Sequence, residues 1–273
     1  MGKLRLDTLL AERGLFPSRT RAAASVMAGE VRVGRGERRA AKPGEMVDAE
    51  EIVAVDERPA YVSRGGVKLA NALAASNVEV KGRRALDVGA STGGFTDCML
   101  QRGASEVLAV DVGYGTLDYS LRNDPRVVVL ERTNARALEP AMLPPAAFGL
   151  EGPPDLATID VSFISLAKVL GAVLGCLGPG YDVLALVKPQ FEVGRGRVGK
   201  GGVVRDASDR RSALVQVGHA ALDLGATVCS YHSSGLPGPK GNLETFVWLA
   251  DPARGVGVGD HDLLEEMARE VEP

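Results

Sequence analysis

Residues 86–97 read LDVGASTGGFTD. An apolar run stops at Asp87, a glycine-rich turn follows, and the next residues suit the start of a helix. Such a turn can hold a ligand against bare backbone, and three chemistries compete for it. A phosphate-binding loop needs Gly, four residues, then Gly-Lys-Ser/Thr, and no lysine follows Gly94. A dinucleotide fingerprint needs GxGxxG; here the glycines are Gly89, Gly93 and Gly94, and Ser91 stands at the second position. The third candidate is S-adenosylmethionine. It has no phosphate, and its adenosine and methionine need a tight turn that backbone can approach closely. Asp111 supports this reading. It ends the next strand-like run, VLAVDVG, where an acid can accept hydrogen bonds from both ribose hydroxyls. A plain strand–helix connection would explain the glycines but not the acids on either side of them.

Placing Asp111 beside that turn requires a sheet. Strand-like runs fall at 84–88, 106–111, 126–130, 155–160, 182–187, 226–231 and 244–250, with helical segments in most gaps. A helix over about 65–76 precedes them, and HDLLEEMAREV closes the chain. Strand–helix alternation predicts an α/β fold with a doubly wound sheet. The last two strands are joined by SSGLPGPKGN without a helix, so they are expected as an antiparallel pair at the sheet edge. In this arrangement Asp160 and Lys188 end parallel strands, on the edge where such folds bind ligands. Pro189 keeps Lys188 out of helical geometry. Glu244 starts the antiparallel last strand and so shares that edge.

The first 56 residues follow another pattern. Leu4, Leu6, Leu9 and Leu10 suggest a helix over 4–13 that Gly14 ends. Ser18 can cap a second helix over 19–28, which Gly29 ends. EVRV and EMVDAEEIVAV are strand-like, with KPG as a turn between them. The expectation is a small α+β module over 1–56, a linker over 57–60, and the large domain over 61–273. Residues 1–44 carry ten Lys/Arg against four Asp/Glu, although the net charge of the whole chain is −3. That asymmetry suggests a basic binding module on an acidic body. Three scattered cysteines, Cys98, Cys176 and Cys229, indicate neither disulfides nor zinc. His219, His232 and His261 lack metal spacing, so no metal is expected. The N-terminus has charges within its apolar run, and the most apolar region, 166–187, is interrupted by Lys168 and GPGYD. Neither a secretion signal nor a membrane span is expected.

The segments LDVGASTGGFTD, AVDVGYGTL, ERTNAR, DVSFISL and LVKPQFEVG together resemble the TlyA family of ribosomal RNA 2′-O-ribose methyltransferases. These belong to the wider FtsJ-like group and were once labelled haemolysins. LDTLLAERGL, SRTRAAASVMAGEVRV and KPG resemble the small RNA-binding domain named after ribosomal protein S4. The resemblance covers nearly the whole chain in order. It implies a Rossmann-like methyltransferase domain preceded by an RNA-binding domain. The implied activity is transfer of methyl from S-adenosylmethionine to cytidine riboses of 16S RNA, 23S RNA or both. It also implies a Lys-Asp-Lys-Glu catalytic set, here Lys68, Asp160, Lys188 and Glu244. Lys188 is the candidate base. Burial and the Lys68 cation would favour its neutral form, while Asp160 would oppose that; as a cation, Lys188 would instead orient the hydroxyl. The expected cofactor contacts are Gly89, Ser91, Gly93, Gly94, Phe95, Asp111, Asn134 and Asp160. Arg5, Arg19, Arg21, Lys42 and Arg64 are the expected RNA contacts, because A-form RNA is recognised through phosphates, 2′-hydroxyls and shape. The loop GRGRVGKGGVVR is a further candidate clamp on a flipped-out nucleotide. A cytoplasmic monomer acting on ribosomal subunits is expected.

Other chemistries fit less well. Amino methylation of adenine often uses an Asn-Pro-Pro-Tyr loop, where this chain has DVSF. Carbon-five methylation needs a nucleophilic cysteine, and the three cysteines fall in predicted helices or strands. A membrane-lysing role finds no suitable segment. A non-catalytic RNA-binding factor would have no need of the four catalytic-set residues.

Overall fold

A computed structural model describes residues 2–35, 38–55, 59–146 and 152–272. The chain forms two compact units, Met1–Pro59 and Ala60–Pro273. Of the linker expected over 57–60, residues 57 and 58 lie outside the described residues.

In the first unit, strand β1 (Lys3–Arg5) leads into helix α1 (Leu6–Glu12), and helix α2 is Arg19–Met27. Ser18 Oγ accepts a hydrogen bond from Arg21 N at 3.2 Å and so caps α2. Strand β2 (Val31–Val33) lies between β3 (Arg38–Arg39) and β5 (Val53–Val55), while β4 (Met46–Asp48) pairs with β1. Leu6, Leu9, Leu10, Ala22, Val26 and Val47 are among the buried core residues.

Two expectations change here. The first helix begins at Leu6, because residues 3–5 pair antiparallel with 46–48. That distant partner captures backbone groups that a local helix would otherwise use. The long strand-like run over 45–55 divides into β4 and β5, which join different partners. Arg13 holds the turn between them, donating to the carbonyls of Ala49 (2.6 Å) and Glu51 (2.7 Å).

The second unit starts with helix α3 (Arg64–Ser76). Next come β6 (Arg84–Val88), α4 (Gly94–Gln101), β7 (Glu106–Val110), α5 (Tyr119–Arg122) and β8 (Val127–Leu130). The second half has β9 (Leu156–Ile159), α6 (Leu170–Leu174), β10 (Asp182–Val187), α7 (Pro189–Glu192) and α8 (Ala207–Asp223). Strands β11 (Thr227–Ser233) and β12 (Thr245–Ala250) and helix α9 (Leu264–Val271) complete it. The seven strands lie in the order β11-β12-β10-β9-β6-β7-β8. Strands β6 to β10 pair parallel, and β12 runs antiparallel to both of its neighbours. The expected antiparallel pair is present at that edge, but the last strand inserts inside β11 rather than forming the border.

Alternation along the strands serves two buried layers. Val183, Ala185 and Val187 face a core with Leu170, Leu214 and Leu264. Leu184 and Leu186 face the opposite core, with Leu69, Met99 and Phe246. Helices α3 and α4 thus cover one face of the sheet, and α6, α8 and α9 the other.

Candidate active site

The chain runs outward from β6 through β7 to β8, then returns to β9 on the other side of β6. The switch opens a crevice at the carboxyl ends of β6 and β9. Gly89 follows β6 there, Asp111 follows β7, Asp160 follows β9, and Lys188 follows β10. Glu244 lies on the same edge because it precedes the antiparallel β12.

Gly89 is required by close approach. Its φ is +87°, and an added Cβ would sit 2.6 Å from the Asp160 carbonyl oxygen. Gly93 has φ +96° and opens α4; a Cβ there would strike Leu121 and Leu117. Gly93 therefore shapes the turn from behind, whereas Gly89, Ser91, Gly94 and Phe95 line the cleft. Beneath the turn, fully buried Asp87 accepts hydrogen bonds from Thr96 Oγ1 (2.6 Å) and Thr158 Oγ1 (3.1 Å). Burial pushes its carboxyl up to about 7, against the pull of these hydroxyls.

At one end of the crevice, the Asp111 carboxylate accepts from Ser91 N (2.7 Å) and Gly113 N (2.6 Å). These amides fix its direction, and each oxygen keeps a further lone pair for a ligand hydroxyl. Asp111, Thr133 and Asn134 line a cavity that also contains Gly89, Ser91 and Asp160. A second cavity joins those three residues to Lys68, Lys188 and Glu244. A third shares Lys188 and Glu244 and continues past Phe163, Gln190 and Phe191. Their volumes, about 510, 400 and 390 Å³, are each sufficient for part of a nucleoside-sized ligand.

The middle cavity holds two lysine–carboxylate pairs. Lys188 Nζ lies 2.7 Å from Asp160 Oδ1 and donates to Ser162 Oγ at 2.9 Å. The Asp160 contact is an ion pair, with Oδ1 itself buried. Lys68 and Glu244 form the other pair, buried on both sides. The Lys68 charge is thus matched by Glu244, so it is not an unbalanced cation acting on Lys188.

The FtsJ-like methyltransferase family matches residues 61–251, and the S4 domain matches residues 4–53. The chain is 50% identical over 249 residues to the 16S/23S rRNA (cytidine-2′-O)-methyltransferase TlyA of Mycobacterium tuberculosis, covering 90% of each protein. The chain belongs to the TlyA group of FtsJ-like methyltransferases. YqxC of Bacillus subtilis, named as an rRNA methyltransferase, is 45% identical over 99% of this chain and 93% of its own length. A solved hemolysin-named protein from Streptococcus thermophilus superimposes with a TM-score of 0.70 at 41% identity, over 99% of this chain and 96% of that one.

Other reactive side chains lie away from the cleft. Burial raises the thiols of Cys98 and Cys229 to about 11. Cys176 is buried just beyond α6, rather than within a helix. None of the three lines the cavities described. Among the expected RNA contacts, Arg5, Arg19, Arg21 and Lys42 are exposed in the first unit. Arg5 and Arg19 converge on Asp7, at 2.7 and 3.6 Å. Among the described residues, neither Arg21 nor Lys42 forms an ion pair with Asp7. Arg64 lines the middle cavity and donates to the Pro237 carbonyl at 2.6 Å, linking α3 to the loop before β12.

Sequence reasoning missed Ser162, the second Lys188 partner, and Phe163, Gln190 and Phe191 beyond it. In the sequence, DVSFISL counts only as a segment of the family resemblance and as the place where an Asn-Pro-Pro-Tyr loop is missing. A strand-end polar residue gives no sign in the sequence of which lysine it will meet.

Proposed function

We propose that this chain methylates the 2′-hydroxyl of cytidine riboses in ribosomal RNA, in one or both ribosomal subunits, with S-adenosylmethionine as donor. The observation that carries the reading is the Lys188–Asp160 pair, set between the Asp111 end of the crevice and the cavity beyond Glu244. The names of the Mycobacterium and Bacillus relatives support rRNA as substrate, and the former supports cytidine.

The cofactor fits the residues present. Asp111 would hold ribose hydroxyls, Asn134 would meet the adenine, and Gly89, Ser91, Gly94 and Phe95 would line its path. Asp160, held by Lys188 at 2.7 Å, borders the same path. When bound, S-adenosylmethionine supplies a methyl group already made electrophilic by its sulfonium.

The task left to the protein is the nucleophile. A ribose hydroxyl is weakly nucleophilic until its proton is held or removed. Lys188 either takes that proton as a neutral amine or, as an ammonium, orients the hydroxyl oxygen; in both cases Asp160 and Ser162 hold its Nζ in place. Lys68 and Glu244 fix the facing wall, which limits the positions open to the ribose. Residues 1–56 act as the RNA-binding module through Arg5, Arg19, Arg21 and Lys42. Arg64 and the loop over 194–205 border the flipped nucleotide. The enzyme acts as a monomer in the cytoplasm, where ribosomal subunits are found. No helix among the described residues is long and apolar enough to cross a membrane, and the hemolysin name of a relative adds no second reading.

The test is a map of 2′-O-methyl positions in ribosomal RNA from a strain lacking the gene and from the same strain with the gene restored. At least one cytidine should gain the mark only when the gene is present. Identical maps would refute the proposal.

A further inference from the structure

The cavity past Lys188 and Glu244 has an aromatic wall. Phe163 holds φ +65° and is 91% exposed, with its ring centroid 5.3 Å from that of Phe191. A bulky residue in the left-handed region is unusual, and such a ring in solvent offers a stacking face for a base. The two segments that form the wall are locked together. Glu192 accepts from Ser165 Oγ (2.6 Å) and Leu166 N (2.9 Å), tying the stretch after Phe163 to the short helix α7.

Gln190 lies on that helix and lines the same cavity. Its Oε1 is shut off from solvent and meets no hydrogen-bond donor. The other amide lining this cavity is fully engaged: Asn242 Oδ1 accepts from Val204 N at 2.9 Å, and its Nδ2 donates to the Gly202 carbonyl at 2.8 Å. A buried acceptor without a donor is destabilising. A small turn of the Gln190 amide towards the cavity would bring Oε1 to a ligand donor.

The geometry points to Gln190 as the residue that reads the target base, by accepting a hydrogen bond from the exocyclic amine of cytosine. This rests on the ribose-methylation reading above. Cytosine presents its amine beside an acceptor ring nitrogen. A carboxamide presents an acceptor beside N–H donors, so the two edges match. Uracil carries a carbonyl where cytosine carries the amine, and sets acceptor against acceptor at Oε1 as long as the amide keeps this orientation.

The test uses the full-length protein and ribosomal subunits lacking the modification. The mapped target nucleotide is either cytidine or, by rRNA mutation, uridine. Values of kcat/KM are measured for wild type, Gln190→Leu and Gln190→Glu, with S-adenosylmethionine affinity as the check on folding. Wild type should favour cytidine by about tenfold or more, the scale of a good base contact. Gln190→Leu should lose cytidine rate until the two substrates are nearly equal. Gln190→Glu should keep the cytidine preference at a reduced rate, since a carboxylate still accepts from the amine and cannot turn a donor inward. Cofactor affinity should be unchanged in all three proteins. A wild-type preference retained in Gln190→Leu, or equal loss on both substrates, would overturn the assignment. Absence of ribose methylation by the wild type on either substrate would overturn the reaction reading, and the assignment with it.

Discussion

Lys188 Nζ and Asp160 Oδ1 meet at 2.7 Å across the carboxyl ends of two neighbouring parallel strands. Neither position depends on a flexible loop. Strands β9 and β10 lead directly into both residues, and Lys188 stands between the end of β10 at Val187 and the start of α7 at Pro189. Removing the amine should therefore abolish chemistry without disturbing the cleft. Lys188→Ala should lower kcat by about 10²–10⁴-fold with S-adenosylmethionine and RNA affinities retained. Lys188→Arg keeps the charge but effectively cannot give up its proton. It should be as inactive as the alanine variant if Lys188 takes the hydroxyl proton. Substantial turnover in the arginine variant would make Lys188 a cationic positioner.

Asp111 should govern the cofactor rather than the RNA. Asp111→Ala removes an acceptor already oriented by Ser91 N and Gly113 N. The cost to S-adenosylmethionine binding should be about 1.5–3 kcal/mol, the scale of a hydrogen bond to a charged group. Calorimetric titration with unchanged affinity would remove Asp111 from the cofactor site.

Arg21 and Lys42 should contribute phosphate contacts. Both are exposed, and neither supports buried Asp7 as Arg5 does, so replacing them should leave the fold intact. The double alanine variant should bind ribosomal RNA more weakly. Its log–log salt slope should fall by about two, one for each lost phosphate contact. A slope equal to that of wild type would place these two side chains off the RNA.

The large domain is more legible in the sequence than the small one. Strands β6, β7, β9 and β10 are buried along their whole length, so apolar runs and helical spacers mark the sheet to within a residue or two. The insertion of β12 inside β11 has no local signal, because it depends on which edge of β10 is left to pair. In the small unit, Leu4 fits a helical period, yet residues 3–5 become a strand through partners more than forty residues away. The same distinction holds in the site. The glycine turn and Asp111 carry their chemistry in sequence, whereas the Lys68–Glu244 pairing and the unpartnered Gln190 oxygen exist only once distant elements pack.

Asp87 should make stability depend on pH. Its folded carboxyl titrates near 7, above its ordinary value. The folded state therefore binds the proton more tightly than the unfolded chain, and stability should fall as pH rises from about 4 to 7. Asp87→Asn keeps the shape and a group that both threonine hydroxyls can bond. Urea denaturation at pH 5 and pH 8 should show a loss on the order of a few kcal/mol in the wild type and a much smaller one in the variant. Equal losses in both proteins would show that Asp87 is not the titrating group.

The most direct measurement is the chemical position of the transferred methyl. Purified protein, labelled S-adenosylmethionine and unmodified ribosomal subunits are incubated together, and the RNA is digested to nucleosides for mass spectrometry. The account predicts label in 2′-O-methylcytidine, absent when Lys188→Ala replaces the wild type. Label on a base, label on the ribose of another nucleoside alone, or full labelling by Lys188→Ala would contradict it.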